Sequence, residues 1–179
     1  MIYLLLGKGF EEIEAVAPMD ILRRAKMEAQ YVGVGGLVVE GAHGINIQAD
    51  ITVDQMDLEN MDMVIIPGGL DGVNNVEASP AAMAAVRYAI DNDKYIAAIC
   101  AAPTILGKRG WLDGVKATCY PGMESDMGGA VMQKDARFVV DGKFITGQAP
   151  AAAVDFGLAI VETLIDSSMK KTIMHFMVY

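Results

Sequence analysis

The sequence predicts an α/β protein in which a mostly parallel central sheet lies between two layers of helices. Two observations support this prediction. Short apolar runs alternate with helical patterns along the chain, which implies βαβ units and a parallel sheet. The runs are continuously apolar instead of alternating with polar residues, as strands are when helices cover both faces of a sheet. The expected architecture is a three-layer α/β/α sandwich.

The predicted elements follow one another in a regular order. Each strand is a short run of apolar and β-branched residues, and each helix repeats its apolar residues with a helical period. The strands are Ile2–Leu6, Ala29–Val34, Met63–Pro67 and Tyr95–Ile99, and the helices are Glu11–Ala25, Pro80–Asp91, Ala101–Arg109 and Ala151–Ile165. The tail from Met169 to Tyr179 has no clear period and is assigned no element.

Two antiparallel hairpins are expected beside the parallel strands. Leu37–Glu40 and Ile45–Ile47 would form the first, and residues 138–140 and 143–145 the second. The second would turn at Asp141-Gly142, a pair typical of a type I′ turn. The sheet should therefore have antiparallel edges.

Length and composition favour one domain over residues 1–179. A chain of 179 residues can bury a sizeable core, and no repeat or linker-like stretch divides it. The longest apolar stretch, Tyr95 to Gly107, is well short of the roughly 20 residues that span a bilayer. No secretory signal is visible at the N-terminus.

Charge and cysteine content narrow the function classes. The net charge of −9 and the dispersed basic residues disfavour binding to nucleic acid or to an anionic membrane. Cys100 and Cys119 do not form a disulfide framework, and no His/Cys/Asp cluster has the spacing of a metal site. We expect a cytoplasmic protein that uses neither a metal nor another cofactor.

Cys100 is the main candidate for chemistry. It stands where a strand gives way to a helix predicted to begin at Ala101, and a helix N-terminus favours the thiolate, the reactive form of cysteine. The alternative is a small buried hydrophobe, as cysteine often is. Cys119 lies in a predicted strand over residues 115–119 and is more simply a packing residue.

Glu14 is the second candidate. It heads a helical row that includes Pro18, so its carboxyl would be partly buried and its pKa raised. It could then stay protonated, hydrogen-bond a thiolate at Cys100 and exchange a proton. The alternative is a solvated first-turn glutamate, which is our interpretation of Glu11 and Glu12. The residues alone leave both interpretations of Glu14 open.

The pair Gly68-Gly69 ends a buried strand. Ligand sites of open parallel sheets form beyond the C-terminal ends of the strands, so this pair, Cys100 and the loop Gly7–Phe10 should converge. Glycines let backbone N–H groups approach a ligand, as an oxyanion hole requires, and a plain turn is the alternative. Nucleotide binding is disfavoured because Glu12 stands where a dinucleotide fingerprint needs a third glycine.

Four segments stand out by their order and spacing. They are FEEIEAVAP at 10–18, IIPGG at 65–69, AAICAAP at 97–103 and ITGQAP at 145–150. Together they resemble the ThiJ/PfpI family, in particular its deglycase-like branch, over nearly the whole chain. The resemblance implies a flavodoxin-like fold and usually a homodimer. It also implies that Cys100 is the reactive cysteine and Glu14 its protonated partner.

The resemblance assigns three further residues. It implies that Gly69 and Ala101 supply backbone N–H donors near the thiolate. Tyr120 matches a catalytic-site position at which some relatives have histidine, which argues against a mechanism that needs an imidazole beside Cys100. The intracellular-protease branch has histidine directly after the cysteine, where this chain has Ala101, so a cysteine peptidase is a remote alternative.

The residues and the resemblance together lead to two hypotheses about function. In the first, the chain is a cofactor-independent enzyme of the glyoxalase III or deglycase type, which converts methylglyoxal or glycation adducts to hydroxy acids. Cys100 would attack the carbonyl and Glu14 would move the proton. In the second, the chain is a redox sensor or stress-linked chaperone in which Cys100 is oxidised to a sulfinate without turnover.

Overall fold

The computed structural model describes residues 1–179 and contains eleven strands and six helices. The strands are β1 (Ile2–Gly7), β2 (Ala29–Val34), β3 (Val38–Glu40), β4 (Asn46–Gln48), β5 (Ile51–Thr52), β6 (Met63–Ile66), β7 (Tyr95–Ile99), β8 (Lys116–Ala117), β9 (Val131–Met132), β10 (Phe138–Asp141) and β11 (Phe144–Gly147). The helices are α1 (Glu12–Arg24), α2 (Leu70–Ala78), α3 (Pro80–Asp91), α4 (Pro103–Gly107), α5 (Ala153–Leu164) and α6 (Ser167–Met177).

A seven-stranded sheet forms the centre of the molecule, in the order β10-β11-β7-β6-β1-β2-β5. All neighbouring strands are parallel except β10 and β11. Leu4 in β1 pairs with Tyr31 on one side and with Ile65 on the other. The strands β1 and β6 are buried along their whole length, as strands covered on both faces are. The mostly parallel α/β sandwich predicted from the sequence is confirmed.

Both hairpins form, but the second one turns differently from the prediction. Asp141 pairs with Phe144, so Gly142 and Lys143 form the turn. Only Gly142 has a positive φ, 58°, whereas a type I′ turn requires a positive φ at both central residues. The Asp141 carboxylate accepts the Lys116 N–H group at 2.8 Å, which fixes Asp141 as the last residue of β10. The strands β3 and β4 form a small sheet of their own.

Two helices, α2 and α6, were not predicted from the sequence. In α2, Gly72 lowers the helix propensity, yet glycine is required because a Cβ there would lie 2.6 Å from Phe10 Cα. In α6, the Asp166 carboxylate accepts the Met169 N–H group at 2.8 Å and so caps the helix N-terminus, a standard stabilising contact. No helix of the molecule is both long and apolar enough to cross a membrane.

Close packing between α1 and α5 fixes the position of the helix that carries Glu14. Buried apolar side chains from the sheet and the helices form one continuous core. A Cβ on Gly157 in α5 would lie 2.9 Å from Pro18 Cα, so the two helix backbones approach closely. Pro18 is buried inside α1, four residues after Glu14. This contact therefore holds the Glu14 side of α1 against the sheet.

Candidate active site

Cys100 lies in a strained turn directly after β7. Its φ is 65°, in the left-handed region that residues other than glycine rarely adopt. Its N–H group donates to the Gly147 carbonyl at 2.9 Å, and its carbonyl accepts the Tyr120 N–H group at 2.8 Å. Hydrogen bonds on both sides hold the strained conformation, which is typical of functional positions.

The helix after Cys100 begins at Pro103, two residues later than predicted. Because the positive φ of Cys100 turns the chain sharply, Ala101 and Ala102 complete a turn before α4 begins. The expectation that the thiol lies at the turn between strand and helix agrees with the structure, whereas the predicted helix start at Ala101 was two residues too early. The N–H groups close to the sulfur belong to Ala101 and Gly69.

Glu14 is fully buried, with 0% of its surface exposed, so the structure decides between the two interpretations that the residues left open, in favour of the buried carboxyl. The Gly68 N–H group donates to Glu14 Oε2 at 2.7 Å, while Oε1 makes no hydrogen bond. A Cβ on Gly68 would clash with the Glu14 carboxylate and would lie 3.0 Å from Cys100 Sγ. The carboxyl and the thiol are thus neighbours, and only glycine fits beside them.

Burial and mutual charge govern the ionisation of this pair. Burial raises the pKa of Glu14 to about 7, against the opposing effects of the Gly68 N–H group and the Cys100 thiol. Burial and the charge of Glu14 raise the pKa of Cys100 to about 12. Adjacent groups titrate as a pair, because the charge of one opposes ionisation of the other. Above about pH 7 the pair holds one proton, and its transfer from the thiol to the carboxylate generates a thiolate.

The two predicted backbone donors lie at the sulfur. The N–H groups of Ala101 and Gly69 lower the pKa of Cys100 and so favour its thiolate. Gly69 has a φ of 85°, and a Cβ there would lie 2.7 Å from the Glu11 nitrogen. Glycine at this position therefore lets the loops after β1 and β6 approach each other beside Cys100. Donation from these two groups to a bound substrate stays a prediction.

An open pocket of about 520 Å³ leads to the thiol. Its lining residues are Glu11, Gly69, Leu70, Cys100, Ala101, Tyr120, Pro121, Gly122, Met123 and Pro150. Two larger cavities lie elsewhere, one around Met1 and one around Trp111, and neither is lined by a cysteine. The pocket at Cys100 is therefore the candidate active site.

Tyr120 contributes to this site mainly through its backbone. Its side chain is 46% exposed and lines the pocket, and its hydroxyl makes no hydrogen bond with Cys100 or Glu14. Cys119 lies beyond the end of β8, outside the strand predicted for it, and is buried. Burial raises the pKa of Cys119 to about 11, in keeping with a packing residue. A catalytic role for the Tyr120 side chain stays a prediction.

A contact between α1 and the β3–β4 hairpin was not predicted from the sequence. Glu12 was expected to be solvated but is only 6% exposed. Its carboxylate accepts the backbone N–H group of His43 at 2.7 Å and lies 2.8 Å from His43 Nδ1. Burial raises the pKa of Glu12, but the hydrogen bonds from His43 outweigh it and lower the pKa. The hydrogen bond with Glu12 raises the pKa of His43.

Glu11 lies beside this contact. Ligand atoms of Glu11, Glu12 and His43 all lie within 4.8 Å of one another, which is the one grouping of side chains that could hold a metal ion. This grouping could not be predicted from residue spacing, because His43 follows Glu12 by 31 residues. The hydrogen bonds of Glu12 with the hairpin account for the arrangement without an ion.

The chain is similar to a known protein family and to several proteins within it. The model of the DJ-1/PfpI family matches residues 1–163. Protein DJ-1 homolog A of Arabidopsis thaliana is 38% identical over 159 residues, and the match covers 88% of this chain and 40% of that protein. Deglycase PH1704 of Pyrococcus horikoshii is 32% identical over 148 residues, with 82% of this chain and 89% of that protein covered.

One further curated protein and one solved structure are also similar. The glutathione-independent glyoxalase DJR-1.2 of Caenorhabditis elegans is 31% identical over 162 residues, and the match covers 90% of this chain and 86% of that protein. The structure of oxidized DJ-1 from Toxoplasma gondii has a TM-score of 0.93 and 32% identity, with 99% of this chain and 97% of that chain covered.

We predict that the free energy of unfolding of the wild type falls, relative to that of Glu14→Gln, as the pH rises from about 4.5 to about 7. A raised pKa stabilises the folded state fully below the unfolded-state pKa, and this contribution is lost as the pH rises through the folded-state pKa. At about 1.4 kcal/mol per pKa unit, the loss is about 3 kcal/mol. Urea denaturation at several pH values measures it.

The matched control is Glu59→Gln, because Glu59 is an exposed carboxyl away from the site. The pH-dependent loss should be absent when the wild type is compared with this variant. A wild type and Glu14→Gln that differ by a constant amount over the whole pH range would contradict the raised pKa of Glu14.

Proposed function

This chain belongs to the DJ-1/PfpI family, and we propose that it is a cofactor-independent cysteine enzyme that converts small reactive carbonyls to hydroxy acids. The observation that carries the proposal is a strained cysteine beside a fully buried glutamate at the base of an open pocket. The names of two relatives, a deglycase and a glutathione-independent glyoxalase, support it. Methylglyoxal and early glycation adducts are the proposed substrates.

The first step joins Cys100 to the substrate. The sulfur attacks the aldehyde carbon of methylglyoxal while the proton on Glu14 passes to the aldehyde oxygen, giving a hemithioacetal. The N–H groups of Gly69 and Ala101, which lie at the sulfur, stabilise the negative charge that develops on this oxygen. The strained backbone of Cys100 holds the sulfur at the pocket throughout.

The second step uses Glu14 as a base and then as an acid. The carboxylate removes the hydrogen from the former aldehyde carbon, and an enediolate forms. Return of the proton to the neighbouring carbon gives a thioester with Cys100, which water hydrolyses to lactate and the free thiol. Oxidation of the aldehyde carbon is balanced by reduction of the ketone carbon, so no external oxidant is consumed. A carboxyl with a pKa of about 7 is suited to both proton transfers.

A second candidate function is redox sensing by the same thiol. A peroxide would oxidise the Cys100 thiol to a sulfenic acid, and a second peroxide would oxidise the sulfenic acid to a sulfinate, with one peroxide reduced to water at each step. The N–H groups of Ala101 and Gly69 at the sulfur favour this candidate, because they would donate to the sulfinate oxygens. The structural relative from Toxoplasma gondii is an oxidized DJ-1. Both cysteines of this chain are free, which is consistent with the reducing cytoplasm that we propose as its location.

We further propose that two copies of the chain associate through α1 and the β3–β4 hairpin. Ile13 and Val16 on α1 are 55% and 46% exposed, and Val38 and Ile45 of the hairpin are 65% and 58% exposed. The Glu12 carboxylate binds the hairpin backbone, so these apolar side chains belong to adjoining elements. Burying such a surface against a second copy would remove it from water.

We predict that the wild type converts methylglyoxal to lactate without glutathione. Cys100→Ser should abolish the reaction, and Glu14→Gln should lower kcat by about a hundredfold or more, because it removes the acid and base of both proton transfers. Enzymatic quantification of lactate measures both effects. Cys119→Ser is the matched control and should keep the wild-type rate. Absence of turnover in the wild type, or turnover that survives in Cys100→Ser, would overturn the enzyme proposal.

We predict that mild peroxide treatment adds two oxygen atoms to Cys100 and none to Cys119, because Cys100 opens to the pocket and its oxidised form finds N–H donors. Intact mass spectrometry followed by peptide mapping locates the added oxygens, and Cys100→Ser is the control. A Cys100 thiol that gains no oxygen would count against the redox function and leave the enzyme proposal standing.

We predict that the wild type sediments with twice the mass of one chain and that Ile13→Glu is monomeric, because a charge would be buried in the interface. Val140→Glu introduces the same charge at an exposed residue of β10, on the opposite edge of the sheet, and should stay dimeric. Analytical ultracentrifugation distinguishes the two. A wild-type monomer, or a dimer that Ile13→Glu leaves intact, would contradict this interface.

A further inference from the structure

We infer that Leu70 and Tyr120 form an apolar subsite beside Cys100, which binds the substituent of the substrate and favours α-oxoaldehydes that carry an aryl or a long alkyl group. The inference rests on the proposed function in one respect, because the carbonyl compound selected in this way would be the substrate of that enzyme. It assigns to two side chains a role in specificity that the proposed mechanism does not use.

The wall of the pocket around the thiol is mostly apolar. Besides glycines and prolines, it is formed by the side chains of Leu70, Ala101, Tyr120 and Met123. Glu11 supplies the one charged side chain, and its carboxylate lies 3.7 Å from Nδ1 of His43, a residue that does not line the pocket. Ligand pockets commonly combine an apolar wall with a few polar groups that orient the ligand. The wall therefore suits an apolar substituent, and the N–H groups at the sulfur suit the carbonyl.

The start of α2 holds Leu70 in this wall. Leu70 is the first residue of the helix and directly follows Gly69, whose N–H group lies at the sulfur. The Val73 N–H group donates to the Gly69 carbonyl at 2.9 Å, which fixes the first turn. Gly72 packs against Phe10, and residues two apart on a helix lie on nearly opposite faces. Leu70 therefore points away from the packed side, and it is 64% exposed.

A hydrogen bond with the backbone of the nucleophile holds Tyr120 in the wall. Its N–H group donates to the Cys100 carbonyl at 2.8 Å, and its carbonyl accepts the Met123 N–H group at 3.1 Å. The Glu124 carboxylate accepts the Gly122 N–H group at 3.0 Å, which fixes the turn between Tyr120 and Met123. Tyr120 is 46% exposed. Its backbone is thus fixed beside Cys100 while much of its side chain is available to a ligand.

Two large apolar side chains are therefore left partly in water within one pocket. Apolar surface of this kind commonly marks a place that a ligand covers. The methyl group of methylglyoxal would cover little of it, whereas a phenyl or long alkyl group presents a much larger apolar surface. One further methylene in an apolar pocket changes selectivity by about tenfold or more. The pocket volume of about 520 Å³ is in the range that holds ligands far larger than methylglyoxal.

The test measures this selectivity at the thiol without any carbonyl turnover. Iodoacetamide and N-benzyliodoacetamide, both uncharged, react with the whole protein at fixed pH. The Cys100 sulfur attacks the methylene carbon, a thioether forms, iodide leaves with the electron pair, and the thiol proton passes to buffer. Peptide mapping separates modification of Cys100 from that of Cys119. The benzyl-to-unsubstituted rate ratio at Cys100, divided by the same ratio for glutathione, gives the contribution of the pocket.

The expected result is a corrected ratio of about fivefold or more in the wild type, which falls toward one in Leu70→Asn and in Tyr120→Asn. Both residues are partly exposed, so these substitutions leave the core intact. Tyr120→Phe should keep the ratio, because the ring and not the hydroxyl supplies the apolar surface. The matched control is Val140→Asn, at an exposed residue that does not line the pocket, and it should keep the wild-type ratio. A wild-type ratio near one, or a ratio that survives both Leu70→Asn and Tyr120→Asn, would overturn the inference.

Failure of this inference is distinguishable from failure of the proposed function. If both hold, the ratio of kcat/KM for phenylglyoxal to that for methylglyoxal falls in the same two asparagine variants. Methylglyoxal turnover with a labelling ratio near one would overturn the apolar subsite and leave the enzyme intact. A labelling ratio that depends on Leu70 and Tyr120, in a chain that turns over neither aldehyde, would support the subsite and overturn the enzyme proposal alone.

Discussion

The site depends on one electrostatic constraint. The Glu14 carboxyl and the Cys100 thiol are buried side by side, so only one of the two groups can carry a negative charge at a time. Two adjacent charges out of water would be far too costly, so Cys100 and Glu14 hold one proton between them. Glycine at position 68 allows the carboxyl and the thiol to lie side by side, because any side chain there would collide with both groups. The packing of α1 on α5 at Gly157 keeps Glu14 from moving out to solvent.

The order of the parallel strands in the sheet brings the residues of the site together. The strands β7, β6 and β1 are parallel neighbours, so the segments that follow their C-terminal ends meet at the same end of the sheet. This part of the structure followed from the sequence, because continuous apolar runs identify buried parallel strands and their ends identify the site. The bounds of β2, α3 and β7 were predicted to the residue, and Cys100, Glu14 and Gly69 come together as the parallel topology requires.

The features that were not predicted from the sequence depend on contacts between residues that are far apart along the chain. Whether Glu14 was solvated or buried could not be decided from its helix alone, since the answer depends on how α1 packs. Glu12 was misjudged for the same reason, because its partner His43 lies 31 residues away. The start of α4 was predicted two residues too early, because helix propensities do not indicate the positive φ of Cys100. The pKa values of the pair likewise depend on burial, which only the packed structure supplies.

The most direct test of this account is a titration of the Glu14 carboxyl by carbon NMR, in protein labelled at glutamate side chains and assigned by comparison with Glu14→Gln. The account predicts that this carboxyl is still half protonated at about pH 7, far from the behaviour of an exposed glutamate, because burial raises its pKa despite the opposing hydrogen bonds from the Gly68 N–H group and the Cys100 thiol. A carboxyl that ionises near its ordinary value of 4.5 would contradict the account, since Cys100 would then have no protonated partner.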